Sequence, residues 1–109
     1  MERLSPELHR GELWWANVPG DKLRPVLVLT RERFVSRLGS VLVAPVTTTV
    51  REIPTELALG PEDGMPTLCA ASFDNLFTLR RERFSRFIVM LGGHRGAELC
   101  AAYRFAAGC

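Results

Sequence analysis

Lysine is almost missing from this sequence. Lys22 stands alone, and thirteen of the fourteen basic residues are arginine. The formal net charge is only +2, so the identity of the basic groups says more than their sum. A GC-rich genome would favour arginine codons. Phosphate recognition would also favour arginine, because the guanidinium fork matches phosphate oxygens two at a time. The two readings are compatible. Long apolar runs are absent too. "VLVAPV" and "FIVML" are strand length, far below the roughly 18 residues of a membrane span. The start, "MERLSPELHR", has early acids and no hydrophobic block, so it does not read as a secretory signal. The expected location is the cytoplasm, with no membrane partner.

Cysteine is scarce, and the count is odd: Cys69, Cys100 and Cys109. Such a scattered set is not a disulfide framework. No Cys-x-x-Cys or Cys/His cluster points to zinc, so no metal or other cofactor is expected. Cys100 opens "CAAY", but a prenylation signal must end the chain. Cys69 and Cys100 are expected to be small buried apolar residues. Phosphate-loop and nucleophile-elbow motifs are missing, which leaves P-loop hydrolysis and serine-hydrolase chemistry unsupported. The carboxylates are scattered, with no close pair for two-carboxylate catalysis. His9 and His94 fall away from the strand-end polar groups, which disfavours a two-histidine nuclease.

What is present is an ordinary globular composition, 47% apolar and 24% charged over 109 residues. That length suits one domain spanning 1–109, able to bury roughly two-thirds of its unfolded surface. Residues 1–10 read as a loose arm or short helix. "GELWWANV" (11–18), "RPVLVLT" (24–30) and "SVLVAPVT" (40–47) read as strands, with "PGD" as turn chemistry between the first two. "IPTELALG" (53–60) alternates, "GPEDGMP" is a turn, and "TLCAASF" (67–73) and "RFIVML" (86–91) are further strands. "RERF" (31–34) and "TLRRERF" (78–84) are candidate helical turns. Leu99, Cys100, Tyr103 and Ala106 fall at helical spacing, which predicts a closing helix over about 93–107, weakly capped by "GG". The fold expected is mainly β: five or six short antiparallel strands curled into a small barrel, with one helix laid on it.

A polar set gathers at the strand ends. Arg24 opens the second strand. Thr47, Thr48 and Thr49 close the third, followed by Arg51, while Ser72, Asp74 and Asn75 follow the fifth. If strands two and three are antiparallel neighbours, one starts where the other stops, so Arg24 and Thr47 share one end of the sheet. A guanidinium beside hydroxyls and an amide can hold a phosphate or its developing phosphorane. The plain alternative is that threonines end strands well and Asp-Asn turns well.

The ordered series Arg-Gly-Glu-x-Trp, Arg-Pro-Val-Leu-Val, Val-x-Pro-x-Thr, Ile-Pro-Thr-Glu and Gly-Pro-x-Asp-Gly, followed by "SFDNLFTL", resembles the MazF/PemK family of toxin endoribonucleases. The likeness covers roughly residues 10–107. It implies an SH3-like β-barrel with a C-terminal helix, of the CcdB/MazF/PemK kind, acting as a homodimer. It implies the toxin of a type II toxin–antitoxin system. Such a toxin cuts single-stranded RNA (mRNA, tRNA or rRNA) at short sequences without a metal, through the RNA's own 2′-hydroxyl, and arrests growth. An antitoxin with a partly disordered acidic segment is the implied partner.

Position by position, the resemblance implies Arg24 and Thr47 as catalytic. Asp74 and Asn75 match its acid–amide pair, expected near the RNA. Lys22, Thr48, Arg51, Arg80 and Arg81 complete the expected RNA-contact set. Two departures stand out: "VPGDKL" is shorter than the Gly-Ser-Glu-Gln-like loop of many relatives, and "RRERFSR" (80–86) is unusually basic. Two other readings remain on the same barrel. A gyrase poison of the CcdB type carries a terminal Trp-Gly-Ile, whereas this chain has no tryptophan after Trp15. A relative that has lost catalysis would only bind RNA or antitoxin. "FIVML", Tyr103 and Phe105 offer apolar surface for a dimer, or side chains for the core.

Overall fold

The structure, a computed structural model, describes residues 6–108. Two strands of continuous apolar sequence set its plan. In β2 (Leu23–Val28), Val26 and Val28 join one buried cluster, while Leu27 and the adjacent Leu29 join another. In β3 (Ser40–Thr47), Val41 and Val43 go to the first cluster, and Ala44 and Val46 to the second. Side chains alternate along a strand. A strand that is apolar at every position is therefore buried on both faces, and that is where these two lie.

The strand order is β4-β5-β3-β2-β1-β7, antiparallel throughout, with β6 also paired to β3. The remaining strands are β1 (Glu12–Asn17), β4 (Glu56–Leu59), β5 (Cys69–Ser72), β6 (Phe77–Arg80) and β7 (Phe84–Met90). One edge of β3 pairs with β2. Its other edge pairs with β6 along its first half and with β5 at its end. The sheet curls, but β4 and β7 do not pair, so it is barrel-like rather than a closed barrel.

Among the described residues, seven strands form instead of five or six. The extra one comes from "TLRRERF", expected as a short helix. In a helix, Leu79 and Phe84 would stand roughly 140° apart and only one could face the core. Both are 2% exposed and share a cluster, because β6 ends in a tight turn (Arg81–Arg83) and β7 begins at Phe84. The fourth and fifth strands are shorter than expected, and a turn closed by Glu56 N–H on the Ile53 carbonyl precedes β4.

Residues 6–10 form neither a helix nor a loose arm. Leu8 is buried, and the His9 N–H donates to Glu12 Oε1 at 2.9 Å. Glu12 Oε1 also accepts the Trp14 indole N–H at 2.9 Å. Residues 1–5 of the expected arm lie outside the described residues, as does Cys109. Arg81 reaches the Pro6 carbonyl at 2.9 Å and the Val35 carbonyl at 2.6 Å, tying the chain's start to α1 (Glu32–Val35).

The closing helix, α2 (Gly96–Ala107), follows a tight turn at Gly93–Arg95. No side chain caps its start. Arg95 fastens it instead, donating to Asp63 and to the Ala58 carbonyl of edge strand β4. Leu99 and Ala102 bury its inner face, while Tyr103 and Phe105 stay exposed. Cys69 is buried as expected, and Cys100 is half-buried beside Arg10. Among the described residues, no helix is long and apolar enough to cross a membrane.

Candidate active site

Antiparallel pairing puts Val26 opposite Pro45. Two positions further along the same register, Arg24 comes level with Thr47. Both point to the face that carries Val26 and Val28. There they line a cleft of about 480 Å³ together with Thr49, Arg51, Ser72 and Asn75. Pro45 forms its floor and Phe77 one wall. The cleft opens where the paired strands β2 and β3 run out and the turn after β5 begins.

Arg24 is set by the hairpin before it. The Asp21 N–H returns to the Val18 carbonyl at 2.9 Å, with Pro19 and Gly20 between. Gly20 has φ +78°, the left-handed value that a type II turn asks of its third residue and that glycine supplies without strain. This tight turn places Asp21 Oδ2 2.9 Å from Arg24 Nη1. Arg24 Nε is buried with no hydrogen-bond partner. A buried donor left unpaired is costly, and in native proteins it calls for an explanation.

The threonine end of β3 is also pre-arranged. Thr47 Oγ accepts the Thr49 N–H at 3.0 Å, which leaves its own hydrogen free to donate. Beyond it, Glu56 organises the loop. Its side chain is 2% exposed, and it accepts the Arg51 and Glu52 N–H groups at 2.9 and 3.2 Å and Arg51 Nε at 3.1 Å. Glu52, at φ +55°, bends the backbone to allow this. Burial works against the charged carboxyl, but those donors outweigh it and hold Glu56 below the usual carboxylate range. Arg51 lines the cleft from there. On the far wall, Asn75 Nδ2 donates to Ser72 Oγ at 2.9 Å, which fixes the amide.

The lining therefore supplies two guanidiniums, three hydroxyls and an amide, with no carboxylate, imidazole or thiol. That is a donor set for an anion spread over several oxygens, which is what a phosphodiester presents.

The sequence matches the profile of the PemK-like, MazF-like toxins of type II toxin–antitoxin systems over residues 9–104. The chain belongs to that family. It is 44% identical to the probable endoribonuclease MazF2 of Mycobacterium tuberculosis over 103 residues, 94% of this chain and 100% of that protein. Its fold is similar to that of the Mycobacterium tuberculosis toxin MazF-mt6, with a TM-score of 0.83 and 35% identity over 89% of this chain and 96% of that one. It is also similar to a mycobacterial endoribonuclease solved with its cognate antitoxin, with a TM-score of 0.84 over 94% and 96% of the two chains. At 24% identity that likeness speaks to fold alone.

In this MazF-like toxin the cleft brings together Arg24, Thr47, Thr49, Arg51, Ser72 and Asn75 from the residues singled out in sequence. Others stand elsewhere. Asp74 points away from its neighbour Asn75, accepts the Thr55 hydroxyl at 2.6 Å, and lines a separate hollow with Tyr103. Lys22 is exposed on the hairpin beside Asp21. Thr48 turns to the opposite side of the strand end. Arg80 pairs with Glu82 at 2.9 Å in solvent. Arg81 spends its guanidinium on the carbonyls of Pro6, Val35 and Leu38. Pro45 and Phe77 were missed in the sequence. Strand parity was the available signal, because Pro45 lies two residues before Thr47 and so shares its face.

Proposed function

We propose that this cleft cleaves single-stranded RNA by transesterification, with the RNA's 2′-hydroxyl as nucleophile. The observation that carries the reading is the cleft that brings the Arg24 guanidinium and the Thr47 hydroxyl together among donors, with no carboxylate in its lining. A phosphate seated there accepts from both side chains. As the 2′-oxygen bonds to phosphorus it gives up its proton. The P–O5′ bond breaks and O5′ takes a proton up. The products are a 2′,3′-cyclic phosphate and a 5′-hydroxyl. Negative charge grows on the non-bridging oxygens, where Arg24 and Thr47 donate. The reaction needs neither a protein nucleophile nor a metal, and its dependence on the 2′-hydroxyl spares DNA. Arg51 and Asn75 hold the neighbouring backbone or base edges.

The same reading assigns the protein a cytoplasmic role as a growth-arresting toxin acting as a homodimer. Its antitoxin would lay an acidic segment over the arginine-lined cleft. Incubation with a long unstructured RNA in EDTA tests the core of this. Discrete fragments with 5′-hydroxyl ends are expected. Absence of cleavage, or undiminished cleavage by Arg24→Ala, overturns it.

A further inference from the structure

A second hollow, about 480 Å³, lies at the far end of the strands that carry Arg24 and Thr47. The Leu29 N–H still bonds the Leu42 carbonyl at 2.8 Å, so the two chains stay together past the end of β2. Leu29, Thr30 and Leu42 wall the hollow there. Thr30 stands six residues beyond Arg24 in the chain, roughly 20 Å away at strand spacing. Leu99, Cys100, Tyr103 and Arg104 close the hollow from one side of α2. It shares no lining residue with the cleft.

Three guanidiniums converge on it, those of Arg10, Arg31 and Arg104, and no carboxylate lines it. Arg10 is held in place, donating from Nη1 to the Leu29 carbonyl, with Nη2 3.9 Å from Cys100 Sγ. The side chains of Arg31 and Arg104 make no hydrogen bond or ion pair among the described residues. Arg24, Arg51, Arg80 and Arg95 differ, since each faces a carboxylate. Thr30 Oγ accepts the Leu42 N–H at 2.7 Å, which leaves its own hydrogen to donate into the hollow's rim.

We infer that this hollow binds a nucleoside phosphate, at a site separate from the cleft. The inference goes beyond the RNA-cleavage reading and stands without it. The two halves of the lining select the ligand. Guanidiniums without counter-charge, beside a hydroxyl, suit an anion that spreads its charge over several oxygens, as a phosphate does. The other half is apolar: Leu29, Leu42 and Leu99 form a floor beside the exposed ring of Tyr103. A bare inorganic ion leaves that floor wet. A base and its sugar cover it, and an aromatic ring at the edge gives the base a surface to stack on. A free nucleotide and the phosphorylated end of an RNA share this chemistry.

Calorimetric titration of the full chain with AMP, GMP, adenosine, inorganic phosphate and octyl phosphate tests this. The proteins compared are wild type, Arg31→Ala, Arg104→Ala, Tyr103→Ala, Tyr103→Phe and Arg24→Ala. Arg31, Tyr103 and Arg104 are exposed, so their substitution leaves the core intact. A nucleotide is expected to bind more tightly than adenosine or phosphate alone, through an event that survives Arg24→Ala. Arg31→Ala and Arg104→Ala should each weaken that event by about tenfold or more, the scale of one charge-assisted hydrogen bond. Tyr103→Ala should weaken AMP binding by about tenfold and leave phosphate binding alone, while Tyr103→Phe keeps both. Competition by a 5′-phosphorylated, 2′-O-methylated RNA dinucleotide then names the source. Displacement of AMP at lower concentration than AMP itself identifies an RNA end, and weaker displacement identifies a free nucleotide; both uphold the site. Nucleotide binding that disappears in Arg24→Ala and ignores Arg31, Tyr103 and Arg104 belongs to the cleft and overturns it. Absence of nucleotide binding overturns it too, as does tighter binding of octyl phosphate than of either nucleotide.

Discussion

Asp21 holds Arg24 from one side only. Its Oδ2 lies 2.9 Å from Nη1, while Nε on the same guanidinium is buried and unpaired. The carboxylate orients the group without satisfying it.

Arg24→Ala is expected to lower kcat on single-stranded RNA by at least about 10²- to 10³-fold, the scale of one lost transition-state donor. Arg24→Lys should recover little, because an ammonium cannot reproduce the planar fork. Single-turnover cleavage assays check both.

Asp21→Asn should leave the thermal midpoint nearly unchanged, since the pair is partly exposed and such pairs contribute about 0–1 kcal/mol. It should still lower kcat by about tenfold or more, because a loosened guanidinium drifts from its productive position. If kcat is unaffected, Asp21 has no positioning role.

Glu56→Gln separates loop order from chemistry. The folded carboxyl titrates below its ordinary value of 4.5, so its contribution to stability is complete above that pH. The contribution is lost as pH falls towards the folded value. Urea midpoints of wild type and Glu56→Gln should therefore differ at pH 7, and the difference should shrink as pH falls below 4.5. A difference that does not change with pH would contradict the role.

His9 behaves in the opposite sense. The hydrogen bond to Glu32, 2.7 Å from Nδ1, raises its pKa above 6.5, against a small opposing effect of burial. The contact is fully formed below pH 6.5 and is lost as pH rises through the raised value. NMR titration should show Glu32→Gln returning His9 towards 6.5.

Arg80→Ala and Arg81→Ala should part company. Arg81 donates to three backbone carbonyls in two separate segments, so its loss is expected to cost about 1–3 kcal/mol. Arg80 makes an exposed pair with Glu82, and its loss should change stability by less than about 1 kcal/mol. Neither should change kcat. A selective loss of RNA affinity in Arg81→Ala would return that arginine to the binding surface.

These cases show where the sequence was readable. "RPVLVLT" and "SVLVAPVT" read as strands, and the structure buries both faces of each, because apolar side chains at successive positions need two apolar surroundings. Arg24 beside Thr47 followed from strand direction alone, since antiparallel neighbours start and stop at the same end. The closing helix showed in its period. Asp74 and Asn75 read as a pair, yet the turn after β5 sends their consecutive side chains to different hollows. "RRERF" read as a helical or basic stretch, yet Arg81 is claimed by carbonyls 46 and 75 residues away in sequence.

Local pattern thus determined most of the strands, which residues stand at their ends and what chemistry those residues carry. Tertiary structure alone decided which charges are free. Whether a guanidinium is spent or available depends on the carbonyls and carboxylates that the chain's return brings within 3 Å, and nothing local in sequence encodes that distance. The same return placed Trp15 and Thr67, far apart along the chain, against one hollow that Thr47 also lines.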